Sequence, residues 1–293
     1  IVVFSVGGLC EAIFAVFRKH EINEGFLVTG FLIPLTMPPT VPLWMLAVAT
    51  IFGVVIGKEI FGGTGYNIFN PALISRAFLF FAYPKYMSGI NPWVNHPNIN
   101  GVTSATPLLE TTELSSHSDL SYSYYDMFMG YIPGSIGETS TFCILLGAAF
   151  LIITGIGSWR IMLGSCIGMI ITSLLLNQIG SDNPMVNLPY QYHFVMGGFA
   201  FGAVFMATDP VSASHTNKGR WIYGLLIGFM CVLIRCINPA YPEGMMLAIL
   251  FANAFAPLID YSVMQKYIKK REKRFSDLSL LNGRKVKEVS SEK

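Results

Sequence analysis

Apolar residues run along this chain in long blocks, separated by short clusters of polar, proline and glycine positions. A helix needs roughly 20 residues to cross about 30 Å of hydrocarbon, and somewhat fewer where neighbours adapt. Apolar runs of about 17 residues or more predict nine spans, at approximately 1–17, 22–37, 41–58, 66–83, 140–158, 161–178, 193–208, 221–237 and 243–260. The fourth carries Asn67, Asn70, Pro71 and Arg76, which leaves a clean stretch only from Ala77 to Tyr83; it either spans or re-enters.

The polar intervals set an orientation. Ten of the nineteen lysines and arginines follow residue 260, and a basic tail of this kind belongs on the cytoplasmic side. Alternating backwards places Lys218, Arg220, Arg160, Lys58, Arg18 and Lys19 inside as well. The outer side receives the 84–139 linker, where Lys85 faces Glu110, Glu113, Asp119, Asp126 and Glu138, and the 179–192 loop with Asp182. Arg235 is the one basic residue left near the outer face. If 66–83 did not span, Arg18, Lys19 and Lys58 would move outside, against the rule.

Ile68-Phe69-Asn70-Pro71-Ala72 follows the third run and Ile237-Asn238-Pro239-Ala240 follows the eighth. Each is expected to open another helix with Asn at the cap and Pro in the first turn. The two breaks fall on opposite sides, the mark of inverted halves. The fold expected is therefore an all-α integral membrane protein, a ten-helix arrangement of two inverted five-helix repeats. One span and part of another would precede Ile1, in keeping with a chain that starts without methionine inside an apolar segment. The expected units are the remainder of the first transmembrane repeat (1–83), an outer, periplasmic linker (84–139), the second transmembrane repeat (140–260) and a basic cytoplasmic tail (261–293).

Composition agrees with lipid as the solvent: 53% of residues are hydrophobic and 12% charged, with a mean hydropathy of +0.53, where soluble domains carry about 25% charge. The basic tail is a topological signal and not a nucleic-acid patch. Cys10, Cys143, Cys166, Cys231 and Cys236 lie inside apolar runs with no C-x-x-C spacing, so they read as small buried hydrophobes. The five histidines have no partners three or four residues away, which argues against a helix-borne metal site.

Acids inside or at the edge of a membrane are costly and point to ion pathways. Glu11, Asp209, Glu243 and Asp260 are the candidates. Glu11 follows Gly7-Gly8, a pair that lets a backbone or ligand come close; a structural hydrogen bond is its other reading. Asp209-Pro210, with Ser212 and Ser214 nearby, offers hard oxygen ligands to sodium, or a plain cap. Asp260 faces the basic tail and suits a membrane-edge ion pair equally well. Phe61-Gly62-Gly63-Thr64-Gly65-Tyr66-Asn67 lacks the strand and Lys-Ser/Thr ending of a phosphate cradle and reads as a tight membrane-edge loop.

In the outer linker, Asn100-Gly101-Val102-Thr103-Ser104-Ala105-Thr106-Pro107-Leu108 resembles the flavinylation motif of the B subunit of the sodium-translocating NADH:quinone oxidoreductases. The resemblance extends over nearly the whole chain, through Arg18-Lys19-His20-Glu21, Arg76-Ala77-Phe78-Leu79-Phe80-Phe81, Gly134-Ser135-Ile136-Gly137-Glu138, Met206-Ala207-Thr208-Asp209-Pro210-Val211 and Asn238-Pro239-Ala240-Tyr241-Pro242-Glu243. It implies FMN held on Thr106 by a phosphoester, a non-covalent riboflavin, a ubiquinone site near Gly7 and Gly8, and Glu11, Asp209 and Asp260 in or near a sodium route. It further implies electron transfer from NADH to ubiquinone coupled to sodium export, within a multi-subunit complex of the bacterial inner membrane. Asn100 stands where Asp is usual, Thr103 for Ser and Ser104 for Gly, so Thr103 is the competing hydroxyl. Two other readings are the homologous flavin-carrying subunit of the ferredoxin:NAD-linked ion pump, and a passive channel or transporter with inverted halves.

Overall fold

The computed structural model describes the chain except residues 20, 22–23, 90–91, 94–104, 114–119, 182, 239–242 and 292–293, with side chains as far as Phe275. Thr103, Asp119, Asp182 and the Pro239-Ala240 pair thus lie outside the described residues.

Among the described residues every regular element is helical: α1 (Val2–Arg18), α2 (Gly25–Leu35), α3 (Leu43–Gly57), α4 (Pro71–Ala82), α5 (Pro84–Met87), α6 (Pro107–Glu113), α7 (Tyr124–Met129), α8 (Thr141–Ile153), α9 (Trp159–Ile179), α10 (Tyr190–Val195), α11 (Phe199–Phe201), α12 (Asn217–Ile237) and α13 (Met245–Ser291). Four stretches are long and apolar enough to cross a membrane: Leu43–Phe61, Trp159–Ile179, Asn217–Ile237 and Met245–Phe275. With the shorter apolar helices α2, α4 and α8 beside them, this is a multi-pass membrane protein.

Of the remaining expected spans, 1–17 is matched in length by α1, while the others are shorter than the hydropathy pattern indicates. Asn70 caps α4, accepting from Ala72 N at 3.0 Å, with Pro71 in the first turn, as its sequence predicts. The helix then ends at Ala82, a rise of about 18 Å. The 193–208 run breaks at Met196 and Gly197, the latter at φ 63°, and continues through α11 into a π turn over Gly202–Met206. Asn238 closes α12, and among the described residues the next helix, α13, begins at Met245, after Gly244 at φ 66°. The helix α13 runs from Met245 to Ser291 and so continues into the basic tail.

The tightest packing joins α9 and α12. A Cβ on Gly168 would overlap Leu225 O, one on Gly224 would lie 2.6 Å from Ile161 O, and one on Gly228 would overlap Ser165 O. Gly164 and Gly168 on one helix face Gly224 and Gly228 on the other, four-residue spacings that let backbones touch. Tyr223, Ile227 and Met169 are buried beside this seam, with Phe199, Ala252 and Ile249.

Candidate functional site

Two polar regions lie apart along α4 and α8: one at the start of α4 and beyond the end of α8, the other at the middle of α4 and just before α8. The first begins with Glu11 on α1. Its Oε1 accepts from Lys58 Nζ at 2.5 Å, and both side chains are almost wholly buried, 5% and 3% exposed. Beside them, Arg18 donates through Nη2 to Glu59 O at 2.5 Å, and its Nη1 lies 3.8 Å from Glu59 Oε2. Lys58 ends α3, where one tight turn (Glu59–Phe61) and three glycines at φ 131°, 92° and 95° carry the chain to α4. Those glycines form the tight loop expected of the 61–67 run.

A cavity of about 400 Å³ opens from Lys58 and extends between the two halves of the chain. Val28, Leu32, Leu151, Ile156 and Phe205 give it apolar walls; Thr64, Asn67, Asn70, Thr208 and Asp209 supply polar edges. Its volume lies within the range of small-molecule sites, about 300–1,000 Å³, and so does the mix of apolar lining with a few polar groups. Asp209 accepts from Ser212 Oγ at 2.6 Å and from Val211 N at 3.4 Å. It caps its turn and lines the cavity at once.

The second region surrounds Thr106, whose Oγ1 accepts from Leu109 N at 3.3 Å at the start of α6. Thr106, Pro107 and Leu108 face Ile132–Ser135, Glu138, Gly197 and Glu243 across a narrow pocket. The two acids of this lining share one arginine: Arg76 donates through Nη1 to Glu138 Oε1 at 2.5 Å and through Nη2 to Glu243 Oε2. Burial pushes the Glu138 carboxyl up to about 7; Arg76 opposes the shift and Glu243 adds to it. A Cβ on Gly198 would lie 2.9 Å from Glu138 Cδ, so only glycine leaves the carboxylate its place.

Arg235 has a different task. Its guanidinium, 1% exposed, donates to His193 O at 2.8 Å, Met196 O at 2.9 Å and Glu243 O at 3.1 Å. It ties the break after α10 to the segment that leads into α13.

The structure separates the sequence candidates into these regions. Glu11 and Asp209 belong to the first, Thr106 and Glu243 to the second. Gly7 and Gly8 lie one turn before Glu11. A Cβ on Gly7 would stand 3.5 Å from Thr50 Cγ2 of α3, and one on Gly8 3.6 Å from Phe26 Cε2 of α2. Asp260 sits apart: its carboxylate accepts from Ser214 Oγ (2.7 Å), Thr216 Oγ1 (2.6 Å), Thr216 N (3.0 Å) and His215 N (2.7 Å), and so holds the turn that enters α12. Sequence reasoning missed Lys58 as the partner of Glu11, and Arg76 and Glu138 as site residues. The signal for Arg76 was present, since an arginine inside an apolar run demands a carboxylate and Glu138 stands directly before the run at 140–158.

Residues 1–269 match the family model described as NQR2, RnfD, RnfE. Proteins named as the B subunit of the Na(+)-translocating NADH-quinone reductase from Yersinia pestis and from Klebsiella pneumoniae (strain 342) are 59% and 58% identical to the chain, over 93% and 94% of it. The protein of that name from Chromohalobacter salexigens is 58% identical over 94%. The aligned chain covers 67%, 68% and 66% of these three relatives.

Proposed function

The chain belongs to the NQR2, RnfD, RnfE family, and from that premise we propose that it is the membrane subunit of a respiratory sodium pump. In this reading it passes electrons from NADH to ubiquinone through bound flavins and couples that passage to sodium export across a bacterial inner membrane. Identity of 57–59% to proteins that all carry the name of the quinone reductase is the observation that favours this enzyme over the ferredoxin-linked pump within the same family.

FMN is assigned to Thr106 as a phosphoester. The residues suit it: the hydroxyl is only partly buried, and small groups at Ala105, Gly134, Ser135 and Gly197 keep the ground around it clear. The riboflavin is assigned to the cavity of about 400 Å³, whose apolar walls suit a neutral planar ring, while Asn67, Asn70 and Asp209 provide donors and acceptors at its edge. A bound flavin supplies the redox chemistry itself; the chain's part is to hold it, exclude water and supply charge. Ubiquinone is placed by Gly7 and Gly8, and the sodium route by Glu11 and Asp209, with Asp260 at its cytoplasmic margin.

Mass spectrometry of the peptide spanning Thr106 tests the reading directly. The wild-type peptide is expected to carry the FMN mass and the Thr106→Ala peptide to lack it, with insertion intact. An unmodified wild-type peptide, or flavin retained at full occupancy in the variant, overturns the assignment. A passive channel has no reason to hold a covalent flavin, so in-gel flavin fluorescence separates that class.

A further inference from the structure

Under Thr106 lies a charge imbalance that flavin attachment does not by itself explain. Among the described residues, Arg76 is the guanidinium that meets two carboxylates, Glu138 and Glu243. Arg76 is 5% exposed, Glu138 8% and Glu243 20%. Fully ionised, the trio carries one net negative charge in a region nearly closed to water, which is unfavourable unless a proton or cation cancels it. Glu243 keeps some contact with solvent, so the charge to be cancelled is that of Glu138. Among the other facing groups described, Ser135 is neutral and Gly198 brings only backbone. Arg235 from α12 keeps its positive charge beside Glu243, but its hydrogen bonds go to the carbonyl oxygens of His193, Met196 and Glu243 and none reaches Glu138, on which the acting charges are Arg76 and Glu243.

We propose that Glu138 is the proton-binding group that compensates charge at a flavin held on Thr106. Both residues border the same pocket. This rests on the assignment of FMN to Thr106. The phosphoester would add negative charge beside the trio, and each electron received from the preceding carrier adds one unit more. As that electron arrives, Glu138 takes one proton from the outer aqueous side and forms an O–H bond. When the electron passes on, the bond breaks and the proton returns to the same side. Neither step oxidises any other group. Burial opposes the charged form of Glu138, and an added negative charge in the pocket that it shares with Thr106 favours the protonated form further.

The test uses the intact complex. The midpoint potential of the covalent flavin is followed from pH 6 to 9 in the wild type and in Glu138→Gln, with Thr106→Ala identifying the signal. Glu138→Gln keeps the shape of the side chain and leaves Arg76 paired with Glu243. The wild-type potential is expected to fall more steeply with rising pH around neutrality than the variant's, which should keep only the slope that the flavin's own ring-nitrogen protonation gives. If the two profiles overlay while the Thr106 peptide carries FMN, the inference fails and the functional reading stands. An unmodified peptide brings down both. A potential that follows sodium concentration and not pH makes the trio a sodium site and refutes the proton. Should Glu138→Gln not assemble, infrared difference spectra of the wild type decide: reduction near pH 7 must bring up a protonated-carboxyl band, and its absence overturns the proposal.

Discussion

Lys58 and Glu11 are 47 positions apart and meet in a buried ion pair. Removing one partner of such a pair leaves an uncompensated charge and costs about 3–5 kcal/mol, whereas removing both together costs far less. Lys58→Met should therefore lower the unfolding midpoint of the complex sharply, and Lys58→Met with Glu11→Gln should recover most of the loss; additive losses in a double-mutant cycle would show that the two do not act as a pair. The pair also changes what a sodium role for Glu11 requires, since a cation arriving there must share the carboxylate with an ammonium or displace it. Glu11 was legible in the sequence because a lone acid in an apolar run stands out. Lys58 was not: at the end of a span it satisfies the topology rule, and nothing in a linear pattern says which way its side chain turns.

Helices show the same division between what pattern reveals and what contact decides. The runs that become α3, α9, α12 and α13 read correctly as helices long and apolar enough to cross a membrane, because about 17–25 apolar residues have one economical conformation in lipid. The 193–208 run misleads, since hydropathy does not register that Met196-Gly197 turns the backbone and that the next stretch packs as a π turn against Met245 and Ile249. The glycines of α9 and α12 are equally silent in hydropathy and carry the seam. Gly228→Ala drives a methyl into Ser165 O, which backbone alone cannot yield; the variant should lose folded yield and melt well below wild type. Gly7→Ala meets only ordinary contact with Thr50 and should fold normally. That makes it a fair probe of the quinone assignment: an unchanged quinone affinity in Gly7→Ala and in the bulkier Gly8→Leu would count against a pocket there.

Across the whole molecule, the cavity beside Lys58 takes lining from both sides of the 84–139 linker and the pocket at Thr106 from the linker itself and the chain after it, and the segment from Gly197 to Asp209 contributes to both. A redox group near one end and a cation near the other would thus bear on one packed element, the arrangement that coupling through two protein states requires. Asp209 is the place to test it, because it borders the cavity while its own hydrogen bonds, to Ser212 and Val211, are local. Asp209→Asn retains an oxygen to accept both bonds, so a residue that only caps its turn would be replaced at a cost of a few tenths of a kcal/mol. A residue that gathers sodium from the cytoplasmic side loses its charge in the same change. Quinone reduction by Asp209→Asn should then need several-fold more sodium to reach half its maximum, with the rate at saturating sodium near that of wild type. A sodium titration that overlays wild type would leave Asp209 a cap and move the uptake site to Glu11 and its lysine.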